Sequence, residues 1–228
     1  MVFVGLVLSY PKIKSTYLRF IKDIDGASRD LFDLHRFFVL KENRNDIQRE
    51  KITLKNGKTA ILKTPEPEDA AKMLDYIKTC CGETEFLARY PEEWDVSEDG
   101  VNSEKAWITS MRESHADLSI ACFCDGIIVG HCALNFGKDI KVSHRASIAI
   151  AIRKAYWRQG IGSCMFEEMI NAARSFGTEI LELTFEEGNN RGKSLYEKFG
   201  FAVVSERPDI FKLKDGTKLK EFYMQKLL

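Results

Sequence analysis

The sequence predicts an α+β fold, a mixed and mostly antiparallel central sheet with helices on both faces. Three observations predict it. Asn56-Gly57 and Asp125-Gly126 each stand between short runs of strand-forming residues, and such dipeptides accept the positive φ angles of a tight hairpin turn. From Ser147 onward the pattern alternates strand, helix, strand, helix, strand, which places helices against a sheet. Ser147 to Ile152 is nearly all apolar, the signature of a central strand covered on both faces.

In chain order, residues 1–50 are read as an extension of unknown role. Its apolar run Met1–Leu8 is too short to span a bilayer and lacks the basic lead and small-residue site of a signal peptide. Ser28 stands where it would cap a helix carrying Leu31, Leu34, Phe37 and Phe38. A single domain is expected over 51–228. Ile52 and Leu54, then Thr59–Leu62, form the first hairpin. Thr64, Pro65 and Pro67 open a helix with the stripe Ala70, Met73, Leu74 and Ile77. Residues 83–94 read as a loop mixing Phe86, Tyr90 and Trp94 with glutamates. Ser103 is expected to cap a helix bearing Ala106, Trp107, Ser110 and Met111. Leu118–Cys124 and Ile127–Phe136 form the second hairpin. A helix over Ile161–Phe176 stops at Gly177. The strand Glu179–Phe185, the short helix Asn190–Phe199, and the strands Phe201–Ser205, Ile210–Leu213 and Leu219–Leu227 complete the chain.

Composition narrows the function classes. Hydrophobic residues make up 44% and charged residues 30%, with Lys+Arg and Asp+Glu both at 34. A formal net charge of zero argues against general nucleic-acid binding, which needs excess cations to displace counterions. Six cysteines without a CxxC pair read as small buried hydrophobes of a reducing, cytoplasmic protein. No paired spacing suggests a metal, and nothing suggests a membrane partner.

The segment that carries chemistry is Ile150-Ala151-Ile152 followed by Arg158-Gln159-Gly160-Ile161-Gly162-Ser163. A strand runs through a glycine turn directly into a helix. The first turn of a helix leaves N–H groups unpaired and carries partial positive charge. Glycine lets a ligand approach the main chain without a Cβ in the way. Together these make a pyrophosphate cradle. The Rossmann fingerprint is set aside because Met165 stands at its third glycine, and the P-loop is set aside with it.

Twenty-seven residues beyond Gly162 come Asn189 and then, seven further on, Tyr196 within Leu195-Tyr196-Glu197-Lys198-Phe199-Gly200-Phe201. With the Gln-Gly-Ile-Gly turn, these residues resemble the GNAT (GCN5-related) N-acetyltransferase superfamily, well over 118–228 and more loosely over 51–117. The resemblance implies acetyl-CoA as co-substrate, no metal, and direct acetyl transfer to a primary amine of a small molecule or peptide. It implies that Ile150, Ala151 and Ile152 face the pantetheine arm, that Arg158 to Ser163 hold the pyrophosphate, that Asn189 meets the arm, and that Tyr196 stands near the thioester sulfur. Trp157 departs from the family pattern, where Gln or Arg is common, and Arg158 is the neighbouring source of charge. Thr184 stands where some members have Glu, so the base is open among Glu182, Glu186, His131, His144 and a water chain to solvent, with Glu182 placed first. A non-catalytic acyl-CoA sensor, another acyl donor and a protein acceptor stay open as alternatives, as does a homodimer.

Overall fold

A computed structural model describes residues 50–113, 117–137 and 139–228. The expectations for Met1–Leu8 and for a helix over Leu31–Phe38 lie outside the described residues. Both hairpins form as expected. β1 (Glu50–Thr53) pairs with β2 (Thr59–Lys63), and β3 (Asp117–Cys124) with β4 (Ile127–Phe136). At the second turn Asp125 and Gly126 have φ of 51° and 80°, the left-handed pair that a two-residue hairpin requires.

β5 (Arg145–Ile152), β6 (Ile180–Glu186), β7 (Ala202–Lys212) and β8 (Lys218–Leu227) complete one sheet of eight described strands, ordered β1-β2-β3-β4-β5-β6-β8-β7. All neighbours are antiparallel except β5 and β6. Helices α1 (Ala70–Glu83) and α2 (Glu98–Glu113) cover one face, burying Met73, Tyr76, Cys80 and Ile108 against Ala121, Phe123 and Ile128. Helices α3 (Ile161–Ser175) and α4 (Asn190–Lys198) cover the other, where Met165, Phe166, Met169 and Tyr196 meet Cys132, Leu134, Ile148 and Leu183. No helix among the described residues is long and apolar enough to cross a membrane.

Three expectations are corrected. α2 begins at Glu98, five residues before Ser103, because Ser97 Oγ accepts the Gly100 N–H at 3.4 Å and Asp95 Oδ1 accepts that of Ser97 at 2.9 Å. Its inward face therefore runs through Val101 and Ile108, and Ala106, Trp107 and Ser110 stay exposed. Ala202–Lys212 is one strand rather than two pieces, with register shifts between Val203 and Ser205 and between Arg207 and Phe211. The second shift accommodates Pro208 and the left-handed Asp209 (φ 56°) without ending the pairing. The third correction concerns β5. It is not covered on both faces along its length: Ala149 is exposed and Ile150 to Ile152 are half-buried. The parallel pairing with β6 spans only Arg145–Ser147 against Ile180–Glu182, after which the two strands part.

Candidate active site

The parting of β5 and β6 opens a groove of about 690 Å³, within the range usual for small-molecule sites. Its floor is Ile148 to Ile152 of β5 with Leu183, Thr184 and Glu186 of β6. Register decides what β5 offers there. Arg153 N–H donates to Val129 O at 2.9 Å and Gly137 N–H to Arg145 O at 3.0 Å. In an antiparallel ladder alternate residues turn to the same neighbour, so the odd-numbered residues face β4. The even-numbered Ile148, Ile150 and Ile152 thus turn their peptide groups toward the gap. Trp157 Nε1 donates to the carbonyl of Ile152 at 2.7 Å.

Beyond β5 the chain makes the glycine turn. Arg158 and Gly160 have φ of 62° and 95°, and Gly160 is the residue from which α3 starts. Positive φ is free for glycine and costs an arginine, so Arg158 is held where it is by its surroundings. Gly162 has another reason to be glycine. A Cβ there would lie 2.9 Å from Leu195 Cδ2 and 3.3 Å from Ile152 Cδ1, so its absence lets α4 close on the first turn of α3. α3 has no acidic residue in its first turn, and Lys198 Nζ donates to Ser163 Oγ at 2.9 Å.

The far wall comes from α4. Asn189 caps it, its Oδ1 accepting the Gly192 N–H at 3.0 Å. Gly192-Lys193-Ser194 matches the closing tripeptide of a P-loop, but Glu187 stands at that motif's first glycine and the tripeptide lies within α4. The Leu-Tyr-Glu-Lys-Phe-Gly-Phe stretch is an anchor. Phe166 of α3 packs on Phe199, Phe201 and Tyr196, with ring centroids 5.2, 5.9 and 5.7 Å away, and Phe185 meets Tyr196 at 5.9 Å. Such pairs add about 0.5–1.5 kcal/mol each beyond their burial. They fix the Tyr196 ring at the edge of the groove. Burial, and then the charge of Glu186, push its phenol up to about 12. Glu186 is itself buried at the end of β6, which raises its carboxyl above the usual range.

The near wall is the end of α1 and the residues after it: Cys80, Glu83, Thr84, Phe86 and Leu87. Glu83 accepts the Lys154 N–H at 2.6 Å, tying α1 to the turn after β5. The rest of the 83–94 loop is pinned elsewhere. Trp94 Nε1 donates to Cys81 Sγ at 3.3 Å, Tyr90 accepts the Lys214 N–H at 3.0 Å, and Glu92 pairs with the Lys214 ammonium.

Strand, glycine turn, capped helix and ring-anchored tyrosine stand around one groove. The description "Acetyltransferase (GNAT) family" matches residues 83–201, just over half of the chain. The chain belongs to the acetyltransferase (GNAT) family. Acetyl transfer is therefore its chemistry. This GNAT chain is 26% identical over 126 residues to the L-amino acid N-acetyltransferase AaaT of Escherichia coli K12, covering 55% of this chain and 77% of that protein. Its fold matches an acetyltransferase of the GNAT family from Streptococcus pneumoniae with a TM-score of 0.67 at 24% identity, over 74% of this chain and 99% of the other. It also matches yncA of Salmonella typhimurium, a structure with acetyl-CoA, with a TM-score of 0.61 at 16% identity, over 74% and 94% of the two chains.

Within this GNAT chain the sequence-derived site residues divide clearly. Ile150, Ala151, Ile152, Arg158, Gly160, Ile161, Gly162, Ser163, Asn189 and Tyr196 line the groove. Gln159 does not. Its Oε1 accepts the Asn56 N–H at 3.0 Å and its carbonyl that of Lys55 at 3.3 Å, so it buttresses the turn from the β1–β2 side. Glu182 does not line it either. It is paired with Arg145 and accepts the Tyr223 hydroxyl at 2.5 Å, at the closed end where β5 and β6 still pair. His131 shares a 2.8 Å hydrogen bond with Ser119 and meets Tyr76 and Trp107 edge-on; burial pushes it down to about 4. His144 precedes β5, its carbonyl accepting from Glu179 and Ile180. Neither histidine lines the groove. The described cysteines are all free, and burial raises Cys80 and Cys122 to about 12. Sequence reasoning missed Arg191 and Leu87 as lining residues. Arg191 had a signal, a cation in a helix first turn where acids are usual.

Proposed function

We propose that this chain transfers an acetyl group from acetyl-CoA to a primary amine, by direct attack while both are bound. The observation that carries this reading is the open flank of β5. The even-numbered peptide groups face a groove that ends on the glycine turn, which suits an amide-bearing arm terminated by a diphosphate. The cradle is main chain, and Arg158, Ser163 and Asn189 stand along it. Gln159 enters the proposal as support for the turn.

Acetyl-CoA supplies an acetyl carbon activated as a thioester. The chain must supply a neutral amine, since an alkyl ammonium with a pKa near ~10.4 is only about 0.04% neutral at pH 7. Glu186 takes the ammonium proton. Its burial raises its basicity toward neutral pH, and it lines the groove where Glu182 does not. The amine nitrogen bonds to the acetyl carbon, the carbon–sulfur bond breaks, and Ile150 N–H polarises the carbonyl oxygen. Tyr196 donates a hydrogen bond to the leaving sulfur. At about 12 its phenol lies above a typical thiol near ~8.5, so it keeps its proton and stabilises the thiolate as a hydrogen-bond donor. The second proton leaves the nitrogen as the amide forms and ends on the sulfur, and Glu186 returns the first to solvent.

Phe86 and Leu87, with Glu83, form the acceptor mouth, an apolar and acidic lining suited to a cationic amine. The test is thiol release from acetyl-CoA against a panel of amines and peptides, with the acetylated product weighed. Saturable thiol release with an N-acetyl product supports the reading. Tight acetyl-CoA binding without turnover on any amine would leave a sensor instead.

A further inference from the structure

The Trp157 departure and the position of Arg191 are one feature. The Arg191 guanidinium lies 3.7 Å from the centroid of the Trp157 ring, and the ring is locked by its Nε1 bond to the Ile152 carbonyl. Both residues line the groove at its glycine-turn end. Among the described residues neither Arg191 nor Arg158 has a carboxylate partner, although the chain pairs many of its other cations. Arg191 also sits in the first turn of α4, which contains no acid, where a cation opposes the helix dipole. The helix dipole does not favour it there.

Resting on the reading above, we infer that Trp157 and Arg191 form a preassembled clamp for a phosphate of the nucleotide end of coenzyme A. The indole fixes the plane of the guanidinium, so its N–H fork meets the phosphate without first being ordered. Trp157 thereby replaces the polar side chain that the turn lacks at that position, acting through Arg191 rather than by contact. Arg158 lines the same groove and Lys198 Nζ reaches Ser163 Oγ, so both add positive charge at the turn.

The experiment is calorimetric titration of the full chain with CoA and with dephospho-CoA, at low and moderate salt. Wild type must bind CoA; if it does not, the function proposed above fails before the clamp is tested. Given wild-type binding, Arg191→Gln weakens CoA about ten-fold or more, as expected for loss of a charge-assisted bond. Trp157→Ala gives a comparable loss, and the double variant adds little to either, because the two act as a unit. A loss confined to CoA assigns the 3′-phosphate; an equal loss with dephospho-CoA assigns the diphosphate. Both support the clamp. Arg191→Lys should recover only part of the loss, since an ammonium lacks the planar fork. Arg191 is exposed, so melting of the glutamine variant stays at the wild-type temperature. CoA affinity unchanged in Arg191→Gln overturns the clamp.

Discussion

Ser147 faces Glu182 across the last paired position of the parallel β5–β6 ladder. One residue further the groove begins, so the Glu182–Arg145–Tyr223 cluster sits at its closed end. Glu186 lies two pleats onward, on the open side.

These two glutamates should separate in mutants. Glu186→Gln should lower kcat/KM by ~10²–10⁴-fold with the fold intact, the range for loss of a positioned base. Glu182→Gln should leave most turnover and lower the melting temperature, because Arg145 loses its charged partner. Equal turnover in Glu186→Gln and wild type would remove Glu186 from the mechanism.

Activity should follow the ionisation of Glu186. The base works as a carboxylate, so kcat/KM rises with pH through a value above the ordinary carboxylate range and is lost as pH falls through it. Glu186→Gln should flatten this acidic limb. A limb unchanged in that variant would assign it to another group.

Tyr196→Phe keeps the ring packing and deletes the hydroxyl. It should lower kcat more than acetyl-CoA affinity, which stays near wild type. Phe166→Ala acts by another route. It leaves the hydroxyl and removes the support, costing about 3–5 kcal/mol of stability.

Gly162→Ala should weaken cofactor binding by pushing Leu195 and α4 off the turn, at roughly 1–3 kcal/mol of overpacking. Adding Leu195→Ala should recover part of the affinity. If the single variant binds CoA as wild type does, the α3–α4 contact is not what shapes the turn.

His131 should make the protein acid-sensitive. Its folded pKa is depressed to about 4 from an ordinary 6.5, so the unfolded chain binds the proton first. Stability is then full above about 6.5 and falls as pH drops toward 4, by up to about 3 kcal/mol. His131→Gln should lessen that slope in denaturant titrations across the same window.

Much of the architecture was legible because hairpin dipeptides and helix stops are local signals. Asn56-Gly57, Asp125-Gly126 and Gly177 all act within a few residues. The glycine turn was legible for the same reason, and Tyr196 through the resemblance of its surrounding motif to a family. What stayed hidden depended on partners far along the chain. Nothing near Glu182 announces Arg145 and Tyr223, and nothing near Gln159 announces Asn56. The apolar run of β5 suggested a fully covered strand, yet the extent of pairing is set by where β6 turns away. In α2 the cap at Ser97 went unread because Glu98 and Asp99 look like loop, so the helical face was counted from the wrong residue.

Pro208 and the register shifts of β7 bear on how molecules behave in company. Among the described residues β7 is the sheet's outermost strand on its side, and Val203, Val204 and Ile210 point apolar surface into water. A flat strand of that kind would invite another chain to add itself edge to edge. A proline without an N–H, an aspartate in left-handed backbone and a twice-broken ladder deny it a straight template. Replacing Pro208 with a β-forming residue should therefore cost the protein its tolerance of high concentration before it costs any enzyme activity.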